Sequence, residues 1–384
     1  MLAEKQSRPA AAAIVGAGDP QVWCAAASDR LRRQLARAGV TQVVDEGALA
    51  GQEGSVLLLR SEGVIDTPLL QALLAAPGAV LLSNGTPAGV PLAVHAPAGL
   101  AGAAAEVLRR NSAGELPEGL QAVTSGDLGA SYWQALRKRE EPYALLLQAG
   151  HLKPIEWRMF MGTYKGATDF VTKWFWPRPA FHVTKLCARL GITPNQVTAL
   201  SAVLVVAAFY WFWEGNWLPG LLAAWGMTFL DTVDGKLARI TLQSSKWGNV
   251  FDHGIDLVHP PFWYWAWGVG LQQAVNPDSL TLMLVVIIAG YVLQRVIEGL
   301  AIWRLGLEIH VWRKVDTWFR LFTARRNPNL VLLTLFALFG RPDLGLAAVA
   351  FWTALCLLLH ALQIAQALFA ARRGRLNSWM AGPA

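Results

Sequence analysis

Charge is scarce in this chain. Asp, Glu, Lys and Arg together make up 15% of 384 residues, against 54% hydrophobic residues. That balance argues against an ordinary soluble protein and for a membrane protein. Cysteine is nearly absent. Cys24, Cys187 and Cys356 are odd in number and far apart. They offer neither a disulfide framework nor a zinc site, and they fit a reducing environment for the soluble parts. A sustained apolar core is missing from the first twenty residues, so no cleavable signal peptide is expected. The net charge is +7. The basic residues gather beside apolar runs, where they set topology or meet lipid and phosphate, so no nucleic-acid partner is expected.

What is present is unevenly spread. Residues 1–130 are Ala/Gly-rich with charges throughout and read as a soluble α/β domain. Strands are predicted over 11–18, 41–45, 55–59 and 79–83, with helices over 22–38 and 67–75; the alternation predicts a parallel, doubly wound sheet. Gly16 and Gly18 form a fragment of a glycine loop, and a tight strand-to-helix turn accounts for it. Residues 131–192 read as a connector. Residues 133–147 are expected to be helical. Further on, Phe170, Val171, Trp174 and Phe175, then Val183, Leu186, Cys187 and Leu190, make apolar stripes opposite Lys185 and Arg189, as in a helix lying in a membrane interface. Residues 193–375 hold six apolar runs of spanning or nearly spanning length, at about 197–214, 218–239, 248–271, 280–303, 328–340 and 344–370. The loops on one side carry a single basic residue, Arg341. The other side carries many, including Arg239, Arg304, Arg313, Arg325 and Arg326, so both termini are expected in the cytoplasm.

Four aspartates interrupt this apolar region. Asp231 and Asp234 are three apart, and Asp252 and Asp256 are four apart on the next run. Each pair therefore shares a helical face. Carboxylates are costly in a bilayer, so a cluster marks a functional site. Like charges that close need cations, and hard oxygen ligands favour Mg²⁺, Mn²⁺ or Ca²⁺.

The pattern Asp231-x2-Asp234-Gly235-x2-Ala238-Arg239-x8-Gly248-x3-Asp252-x3-Asp256 resembles the signature of the CDP-alcohol phosphatidyltransferases, with each fixed position filled. Asn195 and Thr198 are similar to that family's motif before its first span. The resemblance covers about 190–370. It implies a six-helix membrane enzyme, a homodimer, with two divalent cations, Mg²⁺ or Mn²⁺, at the cytoplasmic interface. Such an enzyme moves a phospho-alcohol group from a CDP-alcohol to a hydroxyl and releases CMP. By the same resemblance Asp231, Asp234 and Asp252 hold one metal, Asp231, Asp252 and Asp256 the other, and Asp256 is the general base. Asn195, Thr198, Gly235, Ala238, Arg239, Ser245 and Gly248 are then the candidates for contacting the CDP-alcohol. The small Gly235 and Ala238 let a nucleotide approach the backbone, and Arg239 offers a fork of donors to phosphate.

The acceptor is less legible. Lys185, Arg189, Arg295 and Arg304 are candidates for a basic pocket. Arg295 and Glu298 stand out because they lie inside the fourth span, where they can also pair with each other. His253 and His259 flank the metal motif and read as polar residues near headgroups. The layout resembles the fusion of inositol-1-phosphate cytidylyltransferase to di-myo-inositol phosphate phosphate synthase. Here, however, the metal-binding Gly-Asp pair of the first part reads Arg60-Ser61, so the N-terminal domain is expected to be inactive. The expected reaction joins a CDP-alcohol, CDP-diacylglycerol above all, to a polyol or phosphorylated polyol. Rivals are a synthase using CDP-inositol, an intramembrane cation transporter, and an inactive scaffold.

Overall fold

The computed structural model describes residues 9–382 apart from 17, 130 and 245; the side chains of residues 50, 149, 246, 247, 249 and 252 also lie outside the described set. The chain divides into two compact units. One runs to Tyr164 and takes in Arg239–Leu242; the other comprises Lys165–Ala238 and Gln243–Ala384.

The first unit is built on a five-stranded sheet: β1 (Ala11–Val15), β2 (Ser55–Arg60), β3 (Ala79–Leu82), β4 (Pro91–Pro97) and β5 (Gln121–Val123). The spatial order is β1-β2-β4-β3-β5. Helices α1 (Ala27–Arg37), α2 (Thr67–Leu74) and α3 (Ala101–Arg109) cover it. The two-residue period of the strands sorts their side chains into two cores. Ala12, Leu57, Leu59 and Leu81 face Leu31 and Leu35 of α1 and Leu69, Leu70 and Leu73 of α2. Ala13, Val56, Leu58, Val80 and Val94 face Ala104, Ala105 and Leu108 of α3.

The sheet is mixed, not parallel as the alternation predicts. β4 runs antiparallel to both β2 and β3, while the pairs β1/β2 and β3/β5 are parallel. The extra strand comes from the Gly/Pro/Ala-rich stretch after residue 87, whose prolines stand at the two ends of β4, where a missing donor is tolerated. Residues 41–45 contribute a single bridge, Ala12 to Val43, rather than a strand. Residues 133–147 form no α-helix either, only a 3-10 turn at Gln134–Leu136. They form short strands at Tyr132–Trp133, Lys138–Arg139 and Ala144–Leu146, broken by Arg137 in the left-handed region and by Pro142. At the end of β1, Gly16 has φ +142°, and a Cβ there would meet Ser61 Oγ at 2.1 Å. This close approach accounts for the glycine without a bound nucleotide; Ala17, between the two glycines, lies outside the described residues. Helix α4 (Leu152–Gly162) closes the unit.

The second unit is helical: α5 (Pro177–Arg189), α6 (Pro194–Trp213), α7 (Trp217–Ile240), α8 (Lys246–Gly270), α9 (Pro277–Leu305), α10 (Lys314–Phe322), α11 (Arg326–Leu338) and α12 (Pro342–Ala371). A π-helical turn, Val171–Phe175, precedes α5. Among the described residues, α6, α9 and α12 are long and apolar enough to cross a membrane. The bundle core joins Phe212, Met227, Trp263, Trp267, Leu280, Leu333 and Leu346. Its outer surface is apolar as well: Val203 and Val206 on α6, Leu282 and Val285 on α9, and Phe351 and Leu358 on α12 are exposed. A bundle apolar on both sides suits lipid, not water. Trp174, Phe175, Leu186 and Leu190 are exposed on the segment before α6.

Candidate active site

Helix α6 opens with a capping box. Thr193 Oγ1 accepts from the Gln196 backbone at 3.4 Å, and Gln196 Oε1 accepts from the Thr193 backbone at 2.8 Å. This start turns Thr198 inward. Its hydroxyl is buried and donates to Asp234 Oδ2 of α7 at 2.6 Å. Asp231 lies three residues before Asp234, on the same face of α7.

Asp256 reaches the same place from α8. The first residue of α11, Arg326, joins the two: its Nη2 donates to Asp231 Oδ2 and its Nη1 to Asp256 Oδ1. The three side chains are 16% (Arg326), 18% (Asp231) and 39% (Asp256) exposed, so the junction opens on the Asp256 side. A fork between two carboxylates is a strong, geometrically specific arrangement, stronger still where water is scarce.

The turn of α8 that carries Asp256 is itself unusual. Pro260 and Pro261 lie inside the helix. Lacking N–H groups, they cannot donate to the carbonyls four residues back, those of Asp256 and Leu257. Tyr291 of α9 supplies a hydroxyl there, 2.9 Å from the Leu257 oxygen and 3.4 Å from that of Asp256. His259 bonds the Ile255 carbonyl through Nδ1 at 2.7 Å and packs edge-on against Trp263.

One turn beyond Tyr291, Arg295 donates to Glu298 Oε1 at 2.8 Å and lies over the Tyr291 ring. Arg325 donates to the same oxygen, and His310 Nε2 is 3.0 Å from it. His360 Nε2 stands 3.8 Å away. Glu298, His310 and His360 bring ligand atoms within 4.8 Å of one another. Two guanidiniums already face that carboxylate, so a divalent cation there would meet strong repulsion; the cluster suits an anion better. Asp169, ahead of α5, accepts from the Asn327 amide at 3.0 Å, which fixes the chain one residue past Arg326.

The structure thus joins Asp231 to Asp256, Asp234 to Thr198, and Arg295 to Glu298. Asp252 stands on α8 one turn before Asp256, but its side chain lies outside the described set, and Ser245 lies outside the described residues. Gly235, Ala238 and Gly248 are partly buried, on α7 and α8; Asn195 is exposed at the start of α6; Arg189 and Arg304 are exposed, Lys185 is partly buried and His253 is exposed. Arg239 belongs to the segment grouped with the first unit. Arg325 and Arg326 are the residues the sequence does not single out. Their one available signal is a basic pair ahead of Asn-Pro-Asn at a helix start, which reads equally as a topology signal.

Residues 191–324 match the family model described as CDP-alcohol phosphatidyltransferase. The archaetidylinositol phosphate synthase of Pyrococcus horikoshii is 42% identical over 80 residues, which are 21% of this chain and 42% of that protein. The phosphatidylinositol phosphate synthase of Streptomyces avermitilis is 33% identical over 95 residues, 24% of this chain and 37% of that protein. The chain spans less than half the length of these curated relatives. Among solved structures, the phosphatidylinositol phosphate synthase of Mycobacterium tuberculosis with CDP-DAG bound is 16% identical, with a TM-score of 0.40, over 49% of this chain and 94% of that one. The same synthase in complex with manganese and citrate gives a TM-score of 0.39 at 16% identity, over 47% and 87%.

Proposed function

From the CDP-alcohol phosphatidyltransferase domain carried by residues 191–324, we propose that this chain is a membrane transferase. It moves a phospho-alcohol group from a CDP-alcohol, CDP-diacylglycerol in the leading case, to a hydroxyl of a polyol or phosphorylated polyol. The acceptor O–H bond breaks, a new O–P bond forms at the phosphorus bearing the alcohol, and the P–O bond to CMP breaks, so CMP leaves with the electron pair.

The observation that supports this reading is the convergence of Asp231 and Asp256 from two helices onto one guanidinium. A pocket that accommodates a cation between two carboxylates has the donor chemistry for hard divalent ions, so the residues fit the implied metals. Asp231, Asp234, Asp252 and Asp256 would hold two such ions, Mg²⁺ or Mn²⁺. Bound there, such ions would supply charge neutralisation for the diphosphate and for the CMP leaving group. The protein's own groups do the rest. Asp256, the most exposed of the joined residues, takes the acceptor proton. Thr198 fixes the rotamer of Asp234. Asn195, Arg239 and Ser245 meet the nucleotide, and Gly235, Ala238 and Gly248 let it approach the backbone. On the acceptor side, Arg295 and Arg325 around Glu298 suit a phosphate or several hydroxyls; Lys185, Arg189 and Arg304 are weaker candidates.

The proposed architecture is a six-span domain over 193–375, a connector with an interfacial helix over 131–192, and a nucleotidyltransferase-like, inactive domain over 1–130. Both termini and the active site face the cytoplasm, and the enzyme works as a homodimer. Purified protein given Mn²⁺, CDP-diacylglycerol and a panel of polyols and polyol phosphates should release CMP only when its acceptor is present, with the new lipid identified by mass. CMP release with no member of the panel, or full activity in Asp256→Asn, would sink the reading.

A further inference from the structure

Helix α11 begins with a positive charge set between two carboxylates that belong to other helices. The Nη2 group of Arg326 takes Asp231 Oδ2 and its Nη1 group takes Asp256 Oδ1. A divalent ion held by those oxygens would need the space between them. The guanidinium fills that space. The two cations therefore exclude one another, by volume and by mutual repulsion at low dielectric.

We propose that Arg326 is a built-in counter-cation: it occupies the aspartate pair in the metal-free enzyme and withdraws when a divalent ion bridges Asp231 and Asp256. This rests on the metal reading given above and adds a step to it. Without Arg326, two carboxylates from α7 and α8 would face each other unneutralised, a costly state for partly buried groups. With it, the helices stay together until metal arrives. The side chain is built to let go. Its Nε is buried and has no acceptor among the described residues, so the guanidinium is held by its tip, to the two aspartates and, at 3.6 Å, to Met227 Sδ. Its backbone is anchored separately, at the first turn of α11 beside Asn327, whose amide is bonded to Asp169. The arrangement also tunes loading. Because the aspartates are competent for metal only while the arginine is away, apparent metal affinity is weakened by that fraction.

The test uses the full chain in detergent or nanodiscs, without donor or acceptor. Mn²⁺ binding is followed by the electron paramagnetic resonance signal of free Mn²⁺, and thermal unfolding is recorded in EDTA and in saturating Mn²⁺. Arg326→Gln is expected to bind Mn²⁺ at least about tenfold more tightly than wild type, to unfold earlier than wild type in EDTA, and to lose most of that deficit in Mn²⁺. Arg326→Lys, which keeps a charge without the fork, is expected to fall between the two and covers the case in which Arg326→Gln does not fold. Unchanged or weaker Mn²⁺ binding in the folded variants, with wild type binding normally, overturns the counter-cation and leaves the metal reading standing. An absence of Mn²⁺ binding in the wild type overturns both. Asp231→Asn serves as the reference for a damaged site.

Discussion

The Tyr291 hydroxyl bonds the Leu257 carbonyl at 2.9 Å, one of two backbone acceptors that the Pro260–Pro261 pair deprives of a helical donor. Two prolines would otherwise loosen the turn that aims Asp256. The tyrosine restores a donor from a neighbouring helix. Removing it in Tyr291→Phe should cost about 1–2 kcal/mol of stability and, on the proposed role of Asp256, lower kcat, because that carboxylate is less well held. Unfolding in detergent and initial rates of CMP release check both. A fully active, equally stable Tyr291→Phe would show that the prolines are accommodated some other way.

Asp256→Asn keeps the size of the side chain and one acceptor oxygen but removes the carboxylate proposed as the base. The expected loss in kcat is about 10²–10⁴-fold, with the donor still bound. Equilibrium binding of CDP-diacylglycerol alongside turnover separates chemistry from binding.

Thr198 donates its hydroxyl to Asp234 Oδ2 at 2.6 Å in a buried setting. Thr198→Val leaves that oxygen without its donor and should cost about 1–3 kcal/mol. Thr198→Ser restores the hydroxyl and should behave like wild type. Melting curves of the two variants decide this.

Glu298 accepts from Arg295 and Arg325 and stands beside His310. Glu298→Ala strands two guanidiniums inside the bundle, so a loss of about 3–5 kcal/mol is expected. The milder Glu298→Gln should fold and raise KM for a phosphorylated acceptor more than KM for the donor. The reverse order would remove the arginines from the acceptor side.

In the first unit, Asp66 caps α2 by accepting from the Thr67 backbone at 2.9 Å. Burial raises its pKa from 3.8 to about 6, against the pull of Lys138. The folded state therefore holds a proton that the unfolded chain has already released. This contribution to stability is complete below pH 3.8 and is lost as pH rises through about 6. It amounts to about 3 kcal/mol. Asp66→Asn keeps the cap and should flatten the dependence of the unfolding midpoint between pH 4 and 7. An equally steep dependence in the variant would assign the effect to another group.

How far the sequence reveals the site depends on whether its information is local. The i, i+3 and i, i+4 spacings put Asp231 with Asp234 and Asp252 with Asp256, because helical periodicity is a property of the chain itself. Arg326 is different. It meets Asp256 across 70 positions, and that meeting depends on how α11 enters the bundle; from sequence alone the residue is indistinguishable from arginines that only set topology. The same holds in the sheet. Strands β1, β2 and β3 show as apolar runs, whereas β4 is hidden among prolines and alanines and is a strand because both edges beside it need a partner. Residues 133–147 mislead for another reason: mixed charged and apolar residues suggest a helix, but Pro142 and the left-handed Arg137 prevent one.

The placement of β4 has a consequence for synthesis on the ribosome. Neither β2 nor β3 has its central neighbour until residue 97 is made, and the last strand ends at Val123. About 70 further residues separate that point from Pro194, where the first long apolar helix begins. At about 5–20 residues per second, the sheet has several seconds to close while the insertion machinery waits for its first hydrophobic segment, so a slow-folding variant of β4 would present the membrane with an unfinished, sticky edge.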